Sequence, residues 1–414
     1  MRYINIIVLY VLFLSMVSFA SADWSEPQSI LEQANRPSII QDSDGVYWIG
    51  FSSLEEYANI WIMNSTDGIN WGNYVQVTSN NQTEYAPNLI QDSNGEYWLL
   101  YNALTDIYNV FEFNYELMLT HSPDGISWSE PVAITNSSAI DTYPYIMQDM
   151  DGRYFVTFSS FRKNSTTGHD IYVMYSDDGV AWSDEIQLTN SPEGDIFPIM
   201  LQDKAGKYWM MFTRDTSEEH PPMMNKHDVF MITSDDGIEW SDVAQVTFFS
   251  QNINYPYFLQ DDDGVFWIPH MVSVTGITGS EELGLMGSRD GISWTDSKVL
   301  SNYSQEAYFK TDYKSMVQND KGEFIWAFAS AKIGRGIWIM NGTPDIDLDN
   351  THRIKFNLTR FSEEIIDTVE LDQQSTGVKD ALQNNDSDTN NTAGLNSGLI
   401  LFSIIFAVFL AKKD

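Results

Sequence analysis

Four arginines, Arg36, Arg162, Arg214 and Arg335, stand out in a chain that holds only 22 Lys and Arg against 58 Asp and Glu. The carboxylates Glu84, Asp141, Asp195 and Asp312 recur beside the same apolar runs as these arginines. A planar guanidinium holds a carboxylate through two parallel hydrogen bonds. Several arginines at one mouth of an otherwise acidic protein would therefore suit a ligand that brings its own carboxylate, and an acidic sugar is the natural candidate. Arg36, Arg162, Arg214 and Arg335, with Asp195 and Asp312, form the candidate ligand-binding set. The same arginines could instead pair with Glu84, Asp141 and Asp195 and merely balance a ring of charge. The sequence leaves both readings open.

Other chemistries lack residues to carry them. The chain has no cysteine, which excludes a thiol nucleophile and a disulfide framework. No Gly-rich phosphate loop opens a helix and no nucleophile-elbow pattern occurs. Asp42-x-Asp44-Gly45 and Asp261-Asp262-Asp263-Gly264 echo calcium-loop spacing, but they lack the distant Glu and recur as turns. The six histidines show no two-His helical spacing. No metal and no cofactor are expected. A formal charge of −36 argues against a nucleic-acid partner, whose phosphates need a basic surface.

The elements that must position these groups come from an internal repeat with a period of 50 to 58 residues. Its marker reads PSIIQDSDGVYWIGF from Pro37, PNLIQDSNGEYWLLY from Pro87, PYIMQDMDGRYFVTF from Pro144, PIMLQDKAGKYWMMF from Pro198, PYFLQDDDGVFWIPH from Pro256 and KSMVQNDKGEFIWAF from Lys314. Each phrase is two apolar runs around an Asp- or Asn-rich Gly turn, the pattern of a β-hairpin. A third run follows, such as NIWIM, DIYVM or DVFMI, then a tight turn: STDGINW, SPDGISW, SDDGVAW, SDDGIEW or SRDGISW. A fourth strand such as EIQLT or VAQVT closes the unit. Four strands per unit and six phrases predict an all-β, six-bladed β-propeller.

The last repeat lacks the tight turn, and Trp24-Ser25-Glu26-Pro27 copies Trp128-Ser129-Glu130-Pro131. The N-terminal strand is therefore expected to complete the sixth blade and hide two sheet edges, with His352 to Thr359 as the rival for that place. One face of the ring would carry Arg36, Glu84, Asp141, Asp195, Asn254 and Asp312 from the connections between blades. Arg162, Arg214, His270, Lys332 and Arg335 would come to it from the loops between second and third strands.

A Ser-x-Asp-Gly-x-x-Trp turn after the third strand of such a chain resembles the Asp-box (BNR) repeats of the sialidase superfamily, over about Trp24 to Thr359. That resemblance implies a sialidase-like propeller. Its catalytic members hold a substrate carboxylate with three arginines and use a Tyr nucleophile assisted by a Glu, with an Asp as acid/base. Arg36-Pro37-Ser38 looks like the family's Arg-Ile-Pro motif, and Asp312-Tyr313-Lys314-Ser315-Met316 looks like the context of its nucleophile, which makes Tyr313 the candidate. Asp141 or Glu84 would be the carboxylate partner. Aromatics at the corresponding place of other blades, Tyr85, Tyr143, Phe197 and Tyr255, allow Tyr313 to be part of a packing ring instead. Where the family carries an Arg and the acid/base Asp in blade one, this chain reads SSLEEYAN from Ser52. Arg162 to Asp170 and Arg214 to Asp228 repeat an Arg-to-Asp arrangement at other positions.

Both ends indicate export. Residues 1–22 read as a signal peptide, with Arg2, the apolar run Ile6 to Val17 and the small-residue site Ala20-Ser21-Ala22. The propeller is expected over 23–360 and a disordered acidic stalk over 361–392. A membrane helix over 393–411 and a cytoplasmic tail over 412–414, marked by Lys412-Lys413, complete the chain. Asn64, Asn81, Asn136 and Asn341 are among the glycosylation sequons. The expected protein is a single-pass, cell-surface propeller that binds glycans or glycoconjugates through the channel face. Exo-acting hydrolysis of acidic sugars and protein-binding adhesion are the alternatives.

Overall fold

A computed structural model describes residues 24–54, 57–109, 112–137, 139–162, 168–216, 227–247, 253–273, 281–300, 314–330 and 336–353. The chain divides into two compact units, Met1–Asn357 and Leu358–Asp414, and all of the described residues lie in the first. The signal-peptide, stalk, anchor and tail segments thus fall outside the described residues. Among those described, every regular element is a β-strand, and no helix is long and apolar enough to cross a membrane.

Each marker phrase forms the hairpin it predicts. Ala34–Gln41 pairs antiparallel with Tyr47–Ser53, which pairs with Ile60–Ser65 and then Gly72–Gln76. Second strands such as Tyr47–Ser53 and Phe324–Ser330 are buried along their whole length. They are covered on both faces by neighbouring sheets, which is why they read as continuous apolar runs and do not alternate with polar residues. The architecture is an all-β propeller.

Among the described residues, four sheets have the four or five strands of a single blade. The repeats around Glu84–Gln91 and Ile140–Gln148 instead share one eight-stranded sheet, joined by a single parallel pair, Ile140 with Tyr115. Counted by hydrogen bonding alone, four single blades stand apart where six were expected.

The repeated Gln-Asp-x-x-Gly stitches each repeat to the next. The Asp42 Oδ1 accepts the backbone N–H groups of Asp44 and Val46, while its Oδ2 accepts the Trp48 indole N–H at 2.7 Å and the Tyr97 hydroxyl at 2.7 Å. Tyr97 belongs to the following repeat, and Asp92 and Asp149 bind Tyr154 and Tyr208 in the same way. The Gln side chains run beside this: Gln91, Gln148, Gln202, Gln260 and Gln318 each accept an N–H from the preceding hairpin turn. In the tight turns the Asp side chain caps the two N–H groups that follow the glycine, as Asp178 does for Val180 and Ala181. Gly179 is left-handed there (φ 72°), and a Cβ on it would lie 2.5 Å from the Trp98 ring of the preceding repeat. Glycine is thus needed both for the turn and for the close approach.

The N-terminal strand does complete the last repeat: Gln28–Glu32 pairs antiparallel with Gly336–Gly342. Ser25 accepts the Asn341 N–H on its hydroxyl and gives its own N–H to the Asn341 carbonyl, as Ser129 does with His121. Of the rival segment only His352 and Arg353 are described, and they pair with Trp294 and Ser293.

Candidate functional site at the channel mouth

The strand registers bring inner-strand starts, second-strand ends and third-strand starts to one end of the sheets. Asp195 faces Arg214, which faces Asp228 on the next strand; Asp141, Ser160 and Asp170 form the equivalent row, as do Glu84, Ala103 and Glu116. This end carries a set of carboxylates, Glu84, Glu116, Asp141, Asp170, Asp195, Asp228 and Glu282, all at most 6% exposed. Reasoning from sequence missed Glu116 and Glu282. Their signal was an acidic residue opening the third runs ELMLT and ELGLM.

Burying a carboxylate is costly unless hydrogen bonds satisfy it, and here neighbouring hydroxyls and amides do so. Glu84 accepts the Thr78 hydroxyl and, at 2.6 Å, the Asn80 amide. Glu116 accepts the Thr135 hydroxyl at 2.7 Å, and Asp228 those of Thr216 and Thr247 at 2.6 and 2.9 Å. The threonines two residues beyond the fourth strands, Thr78, Thr135, Thr189 and Thr247, also accept a third-strand N–H. Asp141 accepts the hydroxyls of Ser160 at 2.5 Å and Ser137 at 3.0 Å. Burial pushes the Glu84 carboxyl above its ordinary range against the pull of these bonds. It pushes Asp141 up to about 6, outweighing the Ser160 bond and the Arg162 charge.

Two of the candidate arginines are engaged with this set. Arg214 grips Asp195 bidentately, Nε to Oδ1 at 2.6 Å and Nη2 to Oδ2 at 2.9 Å, and lies 4.8 Å over the Phe230 ring. Arg162 binds Glu185 at 2.5 Å, stands 3.8 Å from Asp141 and lies over Tyr172. Arg36 stacks 4.1 Å above Tyr85 and borders the central cavity. Tyr313, Asp312, Arg335 and Lys332 lie outside the described residues. His270, assigned above to the open face, is fully buried between the Ile268 carbonyl and the Ser297 hydroxyl. Among the described residues no group of three or more His, Asp and Glu is arranged to hold a metal.

The cavity itself is built from one device repeated around the channel. Arg36, Ala86, Tyr143, Phe197 and Tyr255 each precede a proline and each adopt a left-handed backbone, with φ from 46° to 60°. Proline disfavours the right-handed helical region for the residue before it. The inner strands slip register at this point in four of the repeats, between Asn35 and Ser38, Tyr85 and Asn88, Thr142 and Tyr145, and Ile196 and Ile199. Ala86, not Tyr85, is therefore the residue equivalent to Tyr143, Phe197 and Tyr255, which corrects the packing ring read from sequence. These five residues and the prolines after them line a central cavity of about 80 Å³, room for a few waters and far below a typical ligand pocket. Glu84, Asp141 and Asp195 are not among its lining residues.

The buried Asp141 carboxyl gives a pH signature. An unfolded aspartate titrates near 3.8 and Asp141 in the fold near 6, so the folded chain binds more protons between those values. The contribution of Asp141 to stability is therefore highest below the unfolded value, falls as pH rises towards 6, and is flat above. The difference amounts to about 2–3 kcal/mol. Asp141→Asn, which keeps an acceptor for Ser160, is expected to flatten that part of the curve and to stabilise the chain at pH 7.5 by roughly 1–3 kcal/mol. Denaturant midpoints of both proteins from pH 4 to 8 measure this; superimposable curves would mean that Asp141 ionises as freely in the fold as in water.

Residues 6–156 match a family model described as a BNR repeat-like domain. Comparison with curated protein sequences gives no match. Among solved structures, a Penicillium chrysogenum α-L-arabinanase complexed with arabinobiose is 15% identical, with a TM-score of 0.59 over 80% of this chain and 99% of that one. A Fusarium graminearum α-L-arabinofuranosidase in complex with an iminosugar inhibitor is 14% identical, with a TM-score of 0.58 over 78% and 98%. A Hadza microbial sialidase is 14% identical, with a TM-score of 0.55 over 75% and 66%. At these identities the likeness shows the fold. The chain is an all-β propeller whose residues 6–156 resemble a BNR repeat-like domain.

Proposed function

We propose that this is a six-bladed, cell-surface propeller that binds glycans through its channel mouth and does not hydrolyse them. The carrying observation is the division of labour among the charged groups. Glu84, Asp141 and Asp195 are 1%, 0% and 0% exposed and bound to protein partners, and Arg36, stacked on Tyr85, is the charged residue that borders the central cavity among those described. A general acid or base must come within hydrogen-bond reach of the bond it serves, and carboxylates locked under the surface are poorly placed for that. The similar arabinanase and arabinofuranosidase were solved with arabinobiose and an iminosugar inhibitor, which favours a sugar ligand over a protein one.

The six-blade count is supported by five Gln-to-turn bonds that link six successive hairpins, with Ser315 of the last donating to the Ile39 carbonyl of the first. The single pair between Ile140 and Tyr115 is then a seam between two blades. Surface display rests on the apolar segments at the two ends of the sequence.

Fluorogenic glycosides, sialosides included, and a glycan array separate binding from hydrolysis. The expected result is array binding without turnover, weakened about tenfold or more for acidic glycans in Arg36→Ala. Turnover abolished by Tyr313→Phe would establish the hydrolase instead.

A further inference from the structure

The fifth repeat departs from the others at one place. The other marker phrases end in Phe51, Tyr101, Phe158, Phe212 and Phe328, but the fifth ends in His270. The strand beside it changes as well. Phe158 faces Tyr172 and Phe212 faces Phe230 on the third strand, whereas His270 faces Gly284. Phe158 and Tyr172 stack with centroids 5.7 Å apart, and Phe212 and Phe230 at 6.1 Å. In the fifth repeat a polar pair takes that space, with the His270 Nε2 2.7 Å from the Ser297 hydroxyl. A Cβ on Gly284 would lie 2.7 Å from that nitrogen and 2.8 Å from that oxygen, so a side chain there would force the pair apart. Packing does not call for the change, since stacked rings fill the same place in neighbouring repeats. A repeat that breaks its own pattern without a packing reason marks a functional demand.

The pair is also oriented. His270 is fully buried, and its Nδ1 lies 2.9 Å from the Ile268 carbonyl. A carbonyl only accepts, so the proton of the neutral ring sits on Nδ1 and Nε2 accepts from the Ser297 hydroxyl. Ser297 is partly exposed and stands just before Lys298–Val299, the outermost strand of its sheet. A hydroxyl bound to a base that a third group holds in place is the arrangement of an activated nucleophile.

We propose that Ser297 is a nucleophile, activated by His270, that takes the acyl group of small carboxylic esters. Its Oγ adds to the ester carbonyl carbon as its proton passes to His270 Nε2. The bond from that carbon to the alcohol oxygen breaks, and the alcohol leaves with the proton. Water then adds to the acyl carbon and gives a proton to Nε2; Ser297 leaves, takes that proton back and releases the acid. Between these steps the Ile268 carbonyl stabilises the imidazolium by holding Nδ1–H. The inner side of the hydroxyl is filled by His270 and Gly284, so the acyl group arrives from solvent, which suits small, unhindered esters. The activity is separate from glycan binding at the channel mouth.

The test treats the full chain with an alkyl fluorophosphonate, whose phosphorus the Ser297 Oγ attacks with loss of fluoride, and with p-nitrophenyl acetate. Trypsin cuts after Arg289 and Lys298, so one peptide carries Ser297 together with Ser293, an internal control whose hydroxyl is bound to Asp290. Tandem mass spectrometry is expected to find the label on Ser297 and not on Ser293. Ser297→Ala is expected to abolish both the label and the initial burst of p-nitrophenolate. His270→Phe, which restores the residue of the other repeats, is expected to slow labelling of Ser297 about 100-fold or more. His270→Gln, which keeps an acceptor but cannot take the proton, serves should the phenylalanine variant not fold. The proposal is overturned by absence of label on Ser297, by equal labelling of Ser293, or by a rate in the His270 variant within about threefold of wild type.

Discussion

Replacing Asp92 with alanine is expected to lower the unfolding free energy by about 3–5 kcal/mol, among the largest losses a single side chain in this fold can cause. Asp92 is 7% exposed, and its Oδ2 accepts the Trp98 indole N–H at 3.0 Å and the Tyr154 hydroxyl at 2.6 Å. Its Oδ1 holds the turn through the N–H groups of Asn94 and Glu96. Alanine would leave two buried donors unsatisfied, one on each side of the boundary between repeats, and release the turn as well. Tyr154→Phe is the control: it removes one donor and should cost about 1 kcal/mol, since Phe266 and Phe324 occupy the equivalent place in later repeats. Urea denaturation of the three proteins decides the matter. A loss below about 1 kcal/mol for Asp92→Ala would mean that the stitching bonds contribute little.

Asp92 also acts on pH stability in the sense opposite to Asp141. Burial pushes its carboxyl up, but hydrogen bonds from Tyr154, Trp98 and the Glu96 and Asn94 amides together hold it below the ordinary range. A depressed carboxyl contributes stability that is present above the unfolded value and lost as pH falls through the folded one. Acid therefore weakens the boundary between repeats at the hairpin end while relieving the buried charge at the mouth end.

The second large effect is expected at Arg214. Arg214→Ala leaves the Asp195 carboxylate, 0% exposed, without its bidentate partner. Removing one member of a buried pair costs about 3–5 kcal/mol because the other charge stays behind. The Asp195 N–H donates to the His169 carbonyl at 2.6 Å, so the loss should spread to the junction with the preceding repeat. Arg214→Lys should recover part of the stability, since an ammonium cannot reproduce the fork geometry. Replacing both partners, Arg214→Met with Asp195→Asn, should recover more than Arg214→Ala alone. Glycan binding per folded molecule should stay unchanged. Loss of binding at full stability would return Arg214 to the ligand-binding set in which its sequence position placed it.

Much of the fold is legible because each repeat carries its own instructions. The Gln-Asp-x-x-Gly hairpins, the Ser-x-Asp-Gly turns and the buried second strands are local patterns, and repetition at a constant offset makes them hard to misread. The closure by Gln28–Glu32 was legible for the same reason, since Trp24-Ser25 copies Trp128-Ser129 and makes the same exchange of bonds with its neighbour strand. The candidate site was harder. Arg214 and Asp195 are 19 residues apart, and whether they meet each other or a ligand depends on the register of two strands. Ala86, which directly precedes Pro87 as Tyr143 precedes Pro144, was open to reading from the sequence, and Tyr85 was placed one residue off that frame.

By itself, then, the sequence determined the repeat, the hairpins, the turns, the closing strand and the acidic, cysteine-free character of the chain, because all of these are set by near-neighbour hydrogen bonding and side-chain type. Only the tertiary structure decided which charges are buried and paired and which residue of each inner strand faces the channel. Those outcomes depend on strand register and desolvation, where a shift of one residue or the approach of one hydroxyl turns a candidate acid into a structural anchor.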